Sequence, residues 1–376
     1  LSFVYAIMVL ARTSVVAVIP ILALNFLAQA SHISALYLAA SLVCLIFSIF
    51  LPKLISTFGL LQSLFLASLF GLLSAASFFA NNADFLFPGL LFQFMMLTVF
   101  ESAINIYTTQ LIPRRELSYF ESRRVLFSGA SYLAGPLLGG WAIYMEATWI
   151  VLTISAVCAV AVPISLITLV PAAATLKQSA KLSTPSTKDV ALFAAQPRLV
   201  LAWFLAVTRS SWWQIYGVYT PIFAVKAGLG SAAGGLIIAI GSAMLMLAPF
   251  WQVFSRKYGL RLTFFYGYLS CGLMTIAGGL LGKDYPLLSV ALLVGGAVAI
   301  SAVDSGGNAP FLRAVRPHQR IKMVPLYNTY RELAQIAPSA ILAILLIYLS
   351  VSSVFTIAGL FLTGASFYCL KLNKRL

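Results

Sequence analysis

Residues 97–107 read LTVFESAINIY and residues 300–310 read ISAVDSGGNAP. Each stretch sets a carboxylate, Glu101 or Asp304, inside a long apolar run. Each follows it four residues later with an asparagine, Asn105 or Asn308. A charge at the centre of a bilayer costs about 2.5 kcal/mol or more. Two such acids in matching settings, about 200 residues apart, read as one feature made twice.

The surroundings say what kind of chain carries them. Hydrophobic residues make up 61% of the 376 and charged residues 9%, where a soluble domain carries about 25% charged. No soluble fold of this size hides so much apolar surface, so the chain reads as a polytopic membrane protein. Turn and charge clusters cut it into twelve spans, near 1–28, 33–52, 60–80, 85–109, 125–145, 147–170, 198–225, 231–254, 261–281, 286–311, 322–348 and 350–370. The expected architecture is all-α, with two pseudo-symmetric six-helix bundles over 1–171 and 198–376. The linker between them, 172–197, contains KQSAKLSTPSTKD, a composition suited to a flexible connection.

A net charge of +15 raises the question of nucleic acid, and the placement of the charge answers it. Lys53, Arg114, Arg115, Arg123, Arg124, Lys177, Lys181, Lys188, Arg198, Arg256, Lys257, Arg261, Arg313, Arg316, Arg320, Lys322, Lys371, Lys374 and Arg375 all fall on one side of the predicted spans. Lys226 and Lys283 fall on the other. By the positive-inside rule the rich side is cytoplasmic, together with both termini and the linker. The expectation is a multi-pass protein of the inner or plasma membrane that acts as a monomer in the lipid bilayer and binds no nucleic acid.

Other pairs repeat at nearly the same offset: Arg12-Thr-Ser with Arg209-Ser-Ser, Phe58-Gly59-Leu60 with Tyr258-Gly259-Leu260, and Gly135-Pro136 with Ala337-Pro338. A six-plus-six parallel repeat is a transporter architecture, with the substrate site near mid-membrane. The charges inside the spans are Arg12, Glu101, Arg209, Asp304, Arg331 and Glu332. The first four sit on spans 1, 4, 7 and 10, at depths of roughly 24–27 Å by helix rise. That pattern predicts one wet cavity lined by these spans, with two symmetric pairs, Arg12 with Glu101 and Arg209 with Asp304. An acid beside a fixed cation suits proton carriage; a static ion pair that fixes packing is the other reading.

Span 7 contains TRSSWWQIYGVYTPIF, in which Arg209, Trp213 and Tyr216 recur at helical spacing. A cation beside an aromatic wall suits an amphipathic or anionic organic molecule, although aromatic residues also form packing and interfacial belts. Asn105, Asn308 and Arg331 are further polar candidates for the substrate, and Glu332 for a gate. Nothing suggests an enzyme. Cys44, Cys158, Cys271 and Cys369 show no CxxC spacing, the two histidines are His32 and His318, and no nucleophile–base or metal set is visible. No cofactor is expected.

Gly135-Pro-Leu-Leu-Gly-Gly140 resembles the GPxxGG core found in proton-driven exporters of the major facilitator superfamily. Arg256-Lys-Tyr-Gly-Leu-Arg261 resembles a worn form of that family's GxxxDRxGRR loop, with Arg256 at the acidic position. The resemblance covers the whole chain. It implies alternating access, cavity lining by spans 1, 4, 7 and 10, and a gate hinge at Gly135, Pro136, Gly139 and Gly140. The expectation is a proton-coupled antiporter for efflux of a small amphipathic or anionic molecule. An importer or facilitator of an organic anion is the alternative, and a non-transporting membrane receptor or enzyme a remote one.

Overall fold

The computed structural model describes residues 1–112, 117–170, 187–316 and 319–372. Most of the linker, the loop arginines Arg114 and Arg115, His318, and the C-terminal Lys374 and Arg375 lie outside the described residues. Among the described residues the regular elements are all helical. They are α1 (Ser2–Thr13), α2 (Val18–Leu27), α3 (Ala30–Phe58), α4 (Leu60–Phe79), α5 (Leu86–Leu111), α6 (Leu117–Tyr144), α7 (Thr148–Leu169), α8 (Thr187–Ala194), α9 (Pro197–Lys226), α10 (Ser231–Ala243), α11 (Ala248–Tyr258), α12 (Leu260–Leu281), α13 (Pro286–Gly306), α14 (Ala309–Ala314), α15 (Arg320–Asn328), α16 (Tyr330–Tyr348) and α17 (Val351–Cys369).

Ten of these helices or helix runs are long and apolar enough to cross a membrane, or up to eleven if α8 and α9, bent by 92°, form one span. The sequence suggested twelve. The difference includes α6, which has 28 residues but is diluted by glycine, serine and proline. Several spans predicted as single helices are interrupted. Span 1 breaks between α1 and α2, span 8 passes through a 3-10 turn at Met244–Leu247, and span 10 breaks between α13 and α14.

The chain divides into two compact units, Leu1–Thr184 with Ser231–Ala239, and Pro185–Gly230 with Ile240–Leu376. The repeat is visible in the backbone of both. Gly59, joining α3 to α4, has φ 91° and ψ 163°. Gly259, joining α11 to α12, has φ 86° and ψ 150°. Only glycine takes such a conformation without strain, so the recurring Gly-Leu marks the same sharp corner in each unit.

In the first unit α1 packs on α6 and α7 through hydroxyls as well as apolar surface. The Thr13 hydroxyl reaches the carbonyls of Val9 and Ser131, each at 2.9 Å. Ser131 donates to Ala6 O at 2.9 Å and Ser155 to Ala11 O at 2.6 Å. Such bonds hold helices together where lipid offers no hydrophobic drive. In the second unit α12 and α17 approach along a seam of small residues. A Cβ on Gly272 would lie 2.9 Å from Gly359 O, and one on Gly279 would lie 2.5 Å from Thr356 N and 2.9 Å from Ser352 O. Overpacking such a seam costs about 1–3 kcal/mol. Gly272→Val is therefore expected to lower the thermal unfolding midpoint of the detergent-solubilised protein by several degrees. An unchanged midpoint would show that the seam is not close-packed.

Candidate functional site

The C-terminal unit gathers its charges where α13 ends. Gly306 lies against Phe264 and Leu260. Gly307 then takes φ 47° and ψ −125°, a conformation open only to glycine at low cost, and the helix stops. Its amide still bonds back to Asp304 O at 2.9 Å, but its carbonyl leaves the helical ladder. Inside a membrane protein such a freed carbonyl needs a donor. Arg209, on α9, supplies one: Nη1 lies 3.3 Å from Gly307 O.

The same guanidinium holds the acid. Arg209 Nε lies 3.1 Å from Asp304 Oδ1, and the two side chains keep 10% and 22% of their surface exposed. Trp213, one helical turn along α9, donates its indole N–H to Asp304 Oδ2 at 2.8 Å. Each carboxylate oxygen therefore accepts one donor, a permanent cation on Oδ1 and a neutral indole on Oδ2. A small cavity beside the pair is lined by Arg209, Phe264, Tyr268, Gly307, Pro310 and Tyr327, among others.

Aromatic residues support this node. Trp212 stacks on Tyr216 with ring centres 5.0 Å apart and planes 21° from parallel, and donates to Thr275 Oγ1 at 3.1 Å. Trp213 meets both rings edge-on, at 5.1 Å and 5.9 Å. Trp212 and Tyr216 are buried, whereas Trp213 is half-buried. Asn308, whose four-residue spacing from Asp304 would put both on one face of a continuous helix, instead sits in the break. It is exposed and accepts from the Tyr327 hydroxyl at 3.1 Å. Tyr327 in turn stacks on Phe311 at 4.0 Å. Arg331 donates to the Tyr330 hydroxyl at 3.3 Å and lies over that ring at 5.8 Å. Glu332 is half-buried in the first turn of α16.

The N-terminal unit is built differently. Glu101 and Asn105 are half-buried on α5, which runs unbroken through both. Arg12 is half-buried near the end of α1, and among the described residues no ion pair joins it to Glu101. The GPLLGG glycines face the break in span 1 and the start of α10. A Cβ on Gly135 would meet Thr13, and one on Gly139 would lie 2.9 Å from Ser14 O. One on Gly140 would lie 2.9 Å from Ala232 O, and one on Gly235 would lie 2.6 Å from Pro136 O.

Tyr268 and Tyr327, which complete the cavity, were not singled out in the sequence, since a tyrosine in an apolar helix looks like ordinary core. The Gly-Gly of DSGGN was the available signal for the break.

Bilayer-spanning bundles that bury an arginine–carboxylate pair beside a broken helix are the construction of membrane transporters. Residues 1–338 match the Major Facilitator Superfamily. The chain belongs to that family and is a secondary transporter, a multi-pass membrane protein whose substrates are small molecules. Solved structures agree in fold. A POT family transporter in complex with 5-aminolevulinic acid aligns at TM-score 0.75 and 13% identity, over 97% of this chain and 94% of that one. The nucleoside transporter NupG aligns at 0.71 and 14%, over 98% of each chain. A bacterial homologue of the iron transporter ferroportin in an inward-facing state aligns at 0.72 and 13%, also over 98% of each. Identities this low carry the fold and not the substrate. No curated protein matches the chain in sequence.

Removing Arg209 while keeping Asp304 strands a partly buried carboxylate; for a fully buried one the cost is about 3–5 kcal/mol. Arg209→Met is expected to lower unfolding stability by up to that amount, and adding Asp304→Asn to recover part of it. Additive losses in chemical unfolding would mean that the two side chains do not depend on each other.

Proposed function

We propose that the chain is a proton-coupled antiporter that exports a small amphipathic or anionic organic molecule by alternating access. It sits as a monomer in the cell membrane with both termini in the cytoplasm, the side that the basic loops favour. Asp304 and Glu101 take the protons. Arg12, Asn105, Trp213, Asn308 and Arg331 contact the substrate, and the buried Arg209 and Tyr216 hold the substrate wall from behind. Gly135, Pro136, Gly139 and Gly140 form a gate hinge in the first unit, and Glu332 is a separate gate residue in the second.

The observation that carries this reading is the three-residue node at 3.1 Å and 2.8 Å around Asp304. A proton added to this carboxylate removes the net charge that binds Arg209. Because Arg209 also caps Gly307 O, the protonation state bears on the shape of span 10. The Asp304 side chain keeps 22% of its surface exposed, which is the access this reading requires for a proton. GPLLGG supports the export direction by its resemblance to the exporters' motif.

Arg12 favours a second reading, an importer or facilitator of an organic anion. It is a half-buried guanidinium with no ion pair to a described residue, and a charge-assisted bond to an anion is worth about 1.5–3 kcal/mol.

A thermal-shift screen of drugs, chelators, sugars and carboxylates at two pH values identifies a ligand. Its transport in liposomes then separates the readings. Antiport requires accumulation on the acidic side of the membrane; accumulation on the alkaline side overturns export in favour of symport. Glu101→Gln and Asp304→Asn are each expected to cut gradient-driven accumulation at least tenfold while leaving ligand binding measurable. Full-rate proton-coupled transport in either variant would make that acid structural. Arg12→Gln is expected to weaken an anionic ligand roughly tenfold or more and to leave a neutral one unaffected.

A further inference from the structure

We infer that Trp213 is the moving part through which the proton and the substrate sense each other. Its indole forms the substrate wall only while Asp304 is ionised. This rests on the proposed role of Asp304 as a proton site.

Asp304 Oδ1 is held by Arg209 at 3.1 Å, and Arg209 is buried and also anchored to Gly307 O at 3.3 Å. A permanent cation fixed at two points does not make way for a proton. Among the described residues Oδ2 accepts from the neutral N–H of Trp213 at 2.8 Å, and the incoming proton is assigned to the remaining lone pair of that oxygen. The carboxylate gains one O–H, and no other bond forms or breaks. That oxygen keeps a lone pair but loses its charge, so the charge-assisted bond from the indole N–H becomes an ordinary neutral one of about half the strength, and the indole is released to turn away.

The neighbours decide which ring yields. Trp212 and Tyr216 are 2% and 1% exposed, stacked on each other, and Trp212 is tied to Thr275. Trp213 is half-buried and touches both only edge-on. The stacked pair stays while Trp213 moves. A substrate held against the Trp213 face loses its wall when the proton arrives, which is the exclusion that antiport requires.

The other groups facing Asp304 do not compete for the role. Besides Arg209 on α9, they are Tyr268 and Cys271 on α12, with Tyr327 on α15 in the cavity beside Arg209. The Tyr268 hydroxyl donates to Leu205 O at 2.6 Å and that of Tyr327 to Asn308 at 3.1 Å, while Cys271 is fully buried beside Thr275. In the first repeat, the residue four beyond Arg12 is Val16. Glu101 has no indole from that position, so this device belongs to the C-terminal acid.

The test uses the full chain in nanodiscs, titrated between about pH 5 and 8. Infrared spectra follow the protonated carboxylic acid, and intrinsic fluorescence follows the six tryptophans. Wild type is expected to show an acid-induced carbonyl band and an emission change over the same range. Asp304→Asn should lose its share of the band, leaving that of Glu101, and all of the emission change. Trp213→Phe, which keeps a ring but no donor, should keep the band and lose the emission change. An emission change in Trp213→Phe equal to wild type, or none in wild type where the band appears, overturns the role of Trp213 and leaves Asp304 as the proton site. A band unaltered by Asp304→Asn overturns both. If Trp213→Phe does not fold, acrylamide quenching of wild type against Asp304→Asn decides. Quenching must rise on acidification in wild type alone, and equal quenching refutes the proposal.

Discussion

The guanidinium of Arg209 does two jobs at one place, and the C-terminal unit is organised around them. It neutralises Asp304 and caps the carbonyl of Gly307. Neither task stands alone. A helix interrupted inside a membrane protein exposes a carbonyl that only a nearby donor can satisfy, and a carboxylate buried beside the interruption needs a cation. One side chain with several fixed donors meets both needs. Two elements, α9 and α13, are thereby pinned at the point where α13 ends, and the bond to Trp213 extends that point to the aromatic wall.

Much of this was legible in the sequence, and the limits have physical causes. Apolar runs and basic loops gave the spans, because lipid imposes length and charge placement. The four-residue spacing of Arg209 and Trp213 put both on one face of a continuous helix, which is how they come to share Asp304. The same rule misplaced Asn308. Four residues after Asp304 it should share that acid's face, but Gly306-Gly307 ends the helix between them, and Asn308 turns outward to Tyr327. The expected Arg12–Glu101 pair shows another limit. Counting residues from a helix end gives depth but not azimuth, and span 1 turns at residues 14–17, just past Arg12.

The two halves therefore share a plan but not the backbone geometry around the acid. Beyond the exchange of Glu for Asp at the first position, ESAIN and DSGGN differ at the third and fourth, Ala-Ile against Gly-Gly. Alanine and isoleucine let α5 run through Glu101, whereas the glycines stop α13 after Asp304. In the N-terminal unit the break lies instead in span 1, against the bare faces of Gly135 and Gly139. The motif glycines there remove side chains where the interrupted backbone approaches. Thr13, Ser131 and Ser155 supply the hydroxyls that tie α1 to its neighbours.

The Gly307 carbonyl also ties distant parts of the gene to one another. The glycines that break the helix are tolerable only where an arginine stands ready on α9, and that arginine is tolerable in an apolar core only where an acid and a free carbonyl receive it. A single substitution at Arg209, Asp304 or Gly307 therefore disturbs the other two positions as well, although about 100 residues of sequence separate the arginine from the acid and the glycine.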